Sequence, residues 1–327
     1  MNIEKYILIT GGAGYIGSNM VYFLLEKKEN IVVYDNLSTG NIDFLPKDVV
    51  FIEGDLKDKN LLKNIFKKYN FESVIHFAAK SIVLESMEKP TLYFENNVYG
   101  LTNLLGVCKE FNVSNFIFSS TAAVYGNPEK QPIKEDFMLL PVNPYGWSKL
   151  LCEKLLYYES LNWLNSVSLR YFNAAGAHPE LKTGEMHPVE THLVPNIFEA
   201  LSNGCKLKIF GNDYPTKDGT CIRDYIHVWD LCEAHYLALQ KLRNGFKYGV
   251  FNLGNGKGFS IMDVIKTVEK ITGLKVDYEI AGRREGDPAV LIADYEKAKK
   301  ELDWAPKRGL DEIIESAWKF YQKVRRK

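Results

Sequence analysis

The run Gly11-Gly12-Ala13-Gly14-Tyr15-Ile16-Gly17 follows an apolar stretch, Tyr6 to Thr10, and opens an amphipathic segment. It satisfies G-x-G-x-x-G through Gly12, Gly14 and Gly17, and G-x-x-G-x-x-G through Gly11, Gly14 and Gly17. Glycines permit a tight strand-to-helix turn and let the backbone approach a pyrophosphate. The helix that follows supplies unpaired N–H groups and the positive end of its dipole. Such a turn near the start of a chain predicts a β-α-β unit that holds a dinucleotide. Asp35 ends the next apolar run, about 20 residues on, where a carboxylate accepts hydrogen bonds from the adenosine ribose and repels a 2′-phosphate. The expected cofactor is therefore NAD rather than NADP. Gly54-Asp55-Leu56, after a third apolar run, places Asp55 near the adenine.

The rest of the first half continues this alternation. Strands are expected at Tyr6–Thr10, Ile31–Tyr34, Val49–Glu53, Ser73–Phe77, Asn115–Ser119 and Val167–Tyr171. Helices are expected near residues 15–28, 58–69, 91–112 and 145–163. Short apolar strands between helices predict an α/β fold, a Rossmann-like doubly wound parallel sheet covered on both faces. After Tyr171 the pattern loosens, and residues 174–190 read as a loop rich in Gly, Pro and His. Val250 to Leu253 is a strand expected to rejoin the main sheet, and a last helix is expected near 309–325. We assign residues 1–175 to an NAD-binding domain, with residues near 226–256 returning to it. Residues 176–327 form a smaller, mixed α/β substrate domain.

Composition excludes several functions. The chain of 327 residues carries 41 basic and 41 acidic side chains, so nothing draws it to nucleic acid or to an anionic membrane. No apolar stretch approaches the roughly 20 residues that span a bilayer. The N-terminal apolar run is too short for a signal peptide, which predicts a cytoplasmic protein. The five cysteines form no Cys-x-x-Cys pair, and the six histidines form no His-Glu-x-x-His or similar ligand cluster, so no metal is expected.

Asn143-Pro144-Tyr145-Gly146-Trp147-Ser148-Lys149 carries the chemistry. Asn143 suits a helix N-cap and Pro144 the first helical position. Tyr145 and Lys149 then share a face at i and i+4. A phenol with a pKa of about 10 is a poor base at neutral pH, and a nearby cation lowers that pKa. The pair is a plausible proton abstractor from an alcohol. Tyr295 and Lys299 repeat the spacing and read as a helix surface.

With these residues in view, the whole chain resembles the extended short-chain dehydrogenases/reductases and, within them, the UDP-glucose 4-epimerases. The resemblance rests on Thr10 to Ser18, Val74 to Ala79, Asn115 to Ser120, Tyr145 with Lys149, and Arg170-Tyr-Phe-Asn173. Phe210 to Thr216, Arg223-Asp-Tyr-Ile-His227 and Arg283-Arg-Glu-Gly-Asp287 are more specific to the epimerases. It implies an isomerase that oxidises the sugar at carbon 4 to a 4-keto intermediate, lets it turn over, and returns the hydride. Tyr145 would take the 4-hydroxyl proton. Lys149 would bind the nicotinamide ribose and, with the nicotinamide charge, depress the tyrosine pKa. Thr121 would bridge substrate and Tyr145. Dehydratases of this fold carry an acid pair after that threonine; here stand Ala122 and Ala123, which cannot transfer protons.

The resemblance further implies cofactor contacts at Gly11, Gly14, Tyr15, Ile16, Gly17, Asp35, Asn36, Asp55, Leu56, Phe77, Ala78, Ala79, Asn96, Lys149 and Phe172. Implied substrate contacts are Thr121, Tyr145, Asn173, His192, Lys208, Ile209, Phe210, Arg223, Arg284, Asp287 and Leu291. The arginines would bind the diphosphate; their alternative is ion pairing with Asp224 or Glu285. There are departures: a family lysine aligns with Ser81 while Lys80 is displaced by one, and His192 replaces a frequent asparagine. Leu291 stands where a bulky tyrosine restricts relatives to plain hexoses. It leaves open a UDP-N-acetylglucosamine or bifunctional epimerase; another sugar-nucleotide enzyme of the same fold is the remoter alternative. A non-catalytic NAD-binding scaffold gives no reason for Thr121, Tyr145 and Lys149 to occur together. Relatives dimerise through two helices. Leu101, Leu104, Leu105 and Cys108, with Leu151, Leu155 and Tyr158, offer such faces for a homodimer, or pack on their own sheet.

Overall fold

Ile7, Leu8 and Ile9 are all buried, on alternate faces of one strand, which requires cover on both sides of the sheet. In the computed structural model, which describes residues 4–187, 190–284 and 287–325, this strand lies within a seven-stranded sheet. Glu285 and Gly286 of the Arg283–Asp287 motif lie outside the described residues.

The chain begins β1 (Tyr6–Thr10), α1 (Tyr15–Glu26), β2 (Ile31–Asp35), β3 (Val50–Glu53), α2 (Lys59–Lys68) and β4 (Phe71–His76). It continues α3 (Val83–Glu88), α4 (Pro90–Tyr93), a π-helical stretch (Phe94–Tyr99), α5 (Gly100–Glu110), β5 (Asn115–Thr121), α6 (Pro144–Ser160), β6 (Asn165–Tyr171) and β7 (Asn173–Ala175). Then come α7 (Leu193–Asn203), β8 (Leu207–Phe210), β9 (Ile222–His227), α8 (Val228–Arg243), β10 (Tyr248–Leu253) and β11 (Gly258–Ser260). The chain closes with α9 (Ile261–Thr272), β12 (Tyr278–Ala281), β13 (Val290–Leu291), α10 (Glu296–Leu302) and α11 (Leu310–Arg325).

The main sheet has the order β10-β6-β5-β4-β1-β2-β3. β1 pairs in parallel with both β2 and β4, so the order reverses beside it. That reversal is the place where doubly wound sheets bind ligands, and the glycine turn follows β1 directly. The expected strands are present to within two residues at either end, and Val250–Leu253 rejoins this sheet within β10.

The expected helix near 91–112 is present as continuous helical backbone from Pro90 to Glu110, with one departure from α geometry inside it. Pro90 begins α4, and the π-helical stretch Phe94–Tyr99 separates it from α5. A π stretch re-aims side chains and often marks a functional place. Here it directs Asn97 inward, 2% exposed.

The residues group into two compact units. The first comprises residues 1–126, 139–170 and 232–251. Its core joins Leu8, Val74 and Phe116 of the sheet to Leu62 of α2, Leu104 of α5 and Leu156 of α6. This corrects part of the expected dimer face. Leu101, Leu104, Leu105 and Cys108 are buried in their own unit, because α5 covers the sheet, whereas Leu151 and Tyr158 of α6 are exposed. The second unit comprises residues 127–138, 171–231 and 252–327. Its sheet centres on β9, flanked by β11 and β13 and paired also with β7; β12 pairs with β8 in a separate ribbon. Its core unites Val194, Ile197 and Phe198 of α7 with Val264 and Ile265 of α9 and Ile313 and Ile314 of α11.

Candidate active site

In the first unit, Gly11 has a φ of +71°, and a side chain there would collide with the backbone of Ala78. A side chain at Gly17 would strike the Gly11 carbonyl. These glycines let the turn close and let α1 rise immediately from it. Gly14 is the N-cap of α1 and makes no side-chain cap, and an added Cβ would meet only the Gly11 oxygen, at 3.3 Å. The helix start is thus a narrow, side-chain-free end with N–H groups facing outward, which suits a pyrophosphate. Tyr15 and Ile16 form its first turn.

Asp35 ends β2 beneath this turn. Its Oδ2 accepts from Ala13 N at 2.9 Å and its Oδ1 from Leu37 N at 2.8 Å. Burial pushes the carboxyl up, against the pull of backbone N–H groups of Leu37, Ala13 and Asn36. Asn36 donates to Asp55 Oδ2 at 3.0 Å, so two expected adenosine-side residues are brought together. Leu56 instead is 7% exposed and belongs to the core. Phe77 and Ala78 follow β4, their N–H groups held by the Thr10 carbonyl, and Ala79 follows them. This donor set fits NAD: a glycine-walled helix end for the pyrophosphate and a carboxylate one strand away for the ribose.

Asn96 hydrogen-bonds Asn97 Oδ1 at 3.1 Å. Asn97, which sequence reading passed over, is the more committed residue. It binds Lys80 N at 2.8 Å, Lys80 O at 3.0 Å and Ser148 Oγ at 2.9 Å. It thereby ties the loop after β4 to α6. An adjacent Asn-Asn pair gives no sign of which member turns inward, because that depends on the π stretch.

Asn143 caps α6 by accepting from Gly146 N at 2.8 Å, with Pro144 at the first position, as the sequence predicts. Thr121, at the end of β5, accepts from Ala123 N at 3.1 Å. Burial raises the Tyr145 pKa and the Thr121 hydroxyl lowers it. Lys149 lies on α6 four residues beyond Tyr145. Its ammonium donates to the Ser119 carbonyl at 2.8 Å and lies 4.8 Å from the centre of the Phe118 ring. Burial pulls its pKa down to about 8. Within the protein alone, then, desolvation outweighs any depression of the phenol by the lysine. The look-alike Lys299 is exposed and pairs with Glu296 at 3.5 Å.

In the second unit, Arg223 pairs with Asp287, rather than with Asp224. The buried Asp224 carboxylate takes the N–H groups of Asn255, Gly256 and Ala293. The Arg284 guanidinium stacks 3.9 Å from the centre of the Phe210 ring. On β8, Lys208 is exposed while Ile209 points into the core, which leaves only its backbone for a ligand. Asn173 pairs in register with Tyr225, and Leu291 with Arg223. Phe172 is buried, its N–H on the Leu253 carbonyl.

Although the sequence holds no His-Glu-x-x-His motif, the structure gathers two histidines and two glutamates. Glu185, His187, Glu190 and His192 bring one donor atom each within 4.8 Å of one another. The pattern Glu-x-His-x-x-Glu-x-His was legible, but it lies in a loop and matches no helical ligand spacing. His192, expected at the substrate, stands in this group at the start of α7.

The sequence matches, over residues 8–317, a family described as GDP-mannose 4,6 dehydratase. Relatives 41–50% identical over nearly the full chain bear the name UDP-glucose 4-epimerase. The one from Halalkalibacterium halodurans is 50% identical over 319 residues, 97% of this chain and 95% of its own. A crystal structure of UDP-glucose 4-epimerase from Brucella ovis in complex with NAD superimposes with a TM-score of 0.94. It is 42% identical and covers 97% of this chain and 98% of its own. The Bifidobacterium longum enzyme in complex with NAD+ and UDP gives a TM-score of 0.91 at 37% identity, covering 97% and 98%.

Proposed function

We propose, from the premise that this chain belongs to the UDP-glucose 4-epimerases of the epimerase/dehydratase family, that Tyr145 is the acid–base residue of its reaction. The protein is an NAD-dependent isomerase that interconverts UDP-glucose and UDP-galactose. NAD, when bound, supplies the reversible hydride acceptor for sugar carbon 4. Tyr145 takes the proton from the 4-hydroxyl and returns it after the 4-keto sugar has turned over. Thr121 orients the phenol, Lys149 binds the nicotinamide ribose, and the glycine turn with Asp35 holds the rest of the cofactor.

The observation that carries this reading is Tyr145 on the first turn of α6, with Lys149 held to the Ser119 carbonyl two residues before Thr121, and Ala122 and Ala123 following that threonine. A phenol beside a hydroxyl and an anchored ammonium suits proton exchange with an alcohol, and two alanines supply no acid for elimination. The acceptance of N-acetylated sugars that Leu291 left open gains no support from relatives named for UDP-glucose. Arg223, Arg284, Asp287, Asn173 and the Lys208–Phe210 strand are the proposed UDP-sugar contacts. The first unit is the proposed NAD-binding domain and the second the proposed substrate domain.

The experiment is incubation of purified enzyme with UDP-galactose without added NAD. UDP-glucose is the expected product. A 4-keto-6-deoxy product, or none with NAD supplied, overturns the proposal. A homodimer is supported by exposed Leu151, Tyr158 and Trp147 on α6; a monomer mass by light scattering contradicts it. A cytoplasmic location is supported by five cysteines, none of them in a disulfide. Recovery outside the cytoplasmic fraction contradicts that. No helix among the described residues is long and apolar enough to cross a membrane.

A further inference from the structure

Glu185, His187, Glu190 and His192 precede α7 outside any helix or strand, yet the two carboxylates are withdrawn from solvent. The Glu185 side chain is 7% exposed and that of Glu190 4%. Loops rarely bury acids without a partner that repays the desolvation. The Glu190 Oε1 accepts the N–H groups of Thr191 at 2.9 Å and His192 at 3.1 Å, which turns Oε2 toward His187 Nδ1 at 3.3 Å. Glu185 is different. Its Oε1 is buried and no donor meets it at hydrogen-bonding geometry, although His192 Nδ1 lies 2.6 Å away. His187 Nδ1 is 3.8 Å from the same oxygen.

These atoms enclose a common point. Tetrahedral zinc, with bonds of about 2.0–2.2 Å to nitrogen and oxygen, has ligand–ligand edges of roughly 3.3–3.6 Å. The contacts of His187 Nδ1 with Glu190 Oε2 at 3.3 Å and with Glu185 Oε1 at 3.8 Å lie near that edge, and the 2.6 Å contact of His192 with Glu185 opens to it with a side-chain adjustment. The two imidazoles are turned 65° from one another, each with Nδ1 facing the carboxylates. Two nitrogens and two oxygens suit zinc. Calcium and magnesium favour oxygen alone, and no sulfur is present for softer ions. The two carboxylates balance the dication charge. The backbone bonds to Glu190 Oε1 resemble the outer contacts that orient metal ligands.

We propose that Glu185, His187, Glu190 and His192 form a structural zinc site, distinct from the NAD chemistry. It pins the loop to the N-terminus of α7. His192 is the N-cap of that helix and makes no side-chain cap, while Val194, Ile197 and Phe198 lie in the core of the second unit. Four protein ligands make a closed site, as in structural rather than catalytic zinc centres.

The test uses untagged, full-length protein, stripped with dipicolinate and titrated with Zn²⁺ against a chromophoric chelator. The wild type should bind about one zinc per chain, and its melting temperature should rise on zinc addition. The Glu185→Gln/His187→Ala double variant should lose at least ~100-fold in zinc affinity, beyond the effect of an outer-shell change. Its far-ultraviolet spectrum reports whether it folds; should it not, Glu185→Gln alone is titrated. Cobalt in the wild-type site should give the intense visible bands of a four-coordinate N/O centre without thiolate charge transfer. Stoichiometric binding lost in the variant upholds the proposal. No tight binding by the wild type, equal binding by the variant, or a thiolate band overturns it.

Discussion

Arg170 grips both carboxylate oxygens of Glu153, Nε to Oε1 at 2.9 Å and Nη2 to Oε2 at 2.6 Å. The two side chains are 3% and 4% exposed. Ser120 Oγ donates to the same Oε1 at 2.5 Å, and Arg170 Nη1 donates to Tyr125 OH at 2.7 Å. Glu153 sits one turn beyond Lys149 on α6, and Ser120 immediately precedes Thr121. The ion pair therefore fixes the catalytic helix against the strand that delivers the hydroxyl. Removing one partner strands a buried charge. Arg170→Met should cost about 3–5 kcal/mol, while Arg170→Met with Glu153→Met should recover much of that. Urea denaturation of the two variants checks this; equal losses would mean the charges are not what the core is protecting.

Tyr145→Phe keeps the ring and its edge contact with Tyr93, centroids 6.3 Å apart, and removes only the proton carrier. Turnover should fall by about 10²–10⁴, the usual contribution of general acid–base catalysis. UDP affinity by calorimetry should stay within a few-fold. Retained turnover would remove Tyr145 from the reaction.

Thr121 has two duties: it caps Ala123 N, and its hydroxyl lowers the Tyr145 pKa. Thr121→Val should lose both, with a stability cost of about 1 kcal/mol and a drop in kcat larger than any change in KM. Thr121→Ser should restore kcat. Failure of serine to rescue would show that the methyl group's packing, not the hydroxyl, is what matters.

The glycine turn separates folding from cofactor binding. Gly11→Ala demands a positive φ from alanine and a collision with Ala78, so it should impair folding. Gly14 has an ordinary φ of −76° and a single 3.3 Å neighbour. Gly14→Ala should therefore melt near the wild type yet retain less NAD on extraction from the purified protein. Full NAD content in folded Gly14→Ala would place the pyrophosphate elsewhere.

How far the chain was legible follows from how local each signal is. The glycine turn, Asp35, the Asn143 cap and the apolar strands state their conformations within a few residues, and they fold as read. The π-helical stretch did not show, because no residue type encodes it; it accompanies the contacts of Asn97 with Lys80 and Ser148, which are distant in sequence. The leucines of α5 looked equally fit for a core or a partner, since periodicity marks an apolar face without saying what covers it. The Arg223–Asp287 and Arg170–Glu153 pairings join residues 64 and 17 positions apart. Only the folded sheet decides such partners.

Lys149 shows what the site costs the fold. Its folded pKa of about 8 lies below the ordinary 10.5. The buried ammonium is thus a penalty that is full below pH 8, where both states hold the proton. It diminishes as pH rises, because the folded chain releases its proton first, and is gone above 10.5, where neither state is charged. The shift corresponds to a net penalty on the order of 3 kcal/mol, with burial outweighing the attraction of nearby Cys152 and Glu153. Lys149→Met should accordingly raise the melting temperature of the cofactor-free protein at pH 6.5, with a smaller gain at pH 10, while abolishing most activity. Thermal melts of both proteins at the two pH values decide the matter. A gain that grows toward alkaline pH, or a loss of stability at pH 6.5, would mean that the ammonium's contacts with Ser119 and Phe118 outweigh its desolvation.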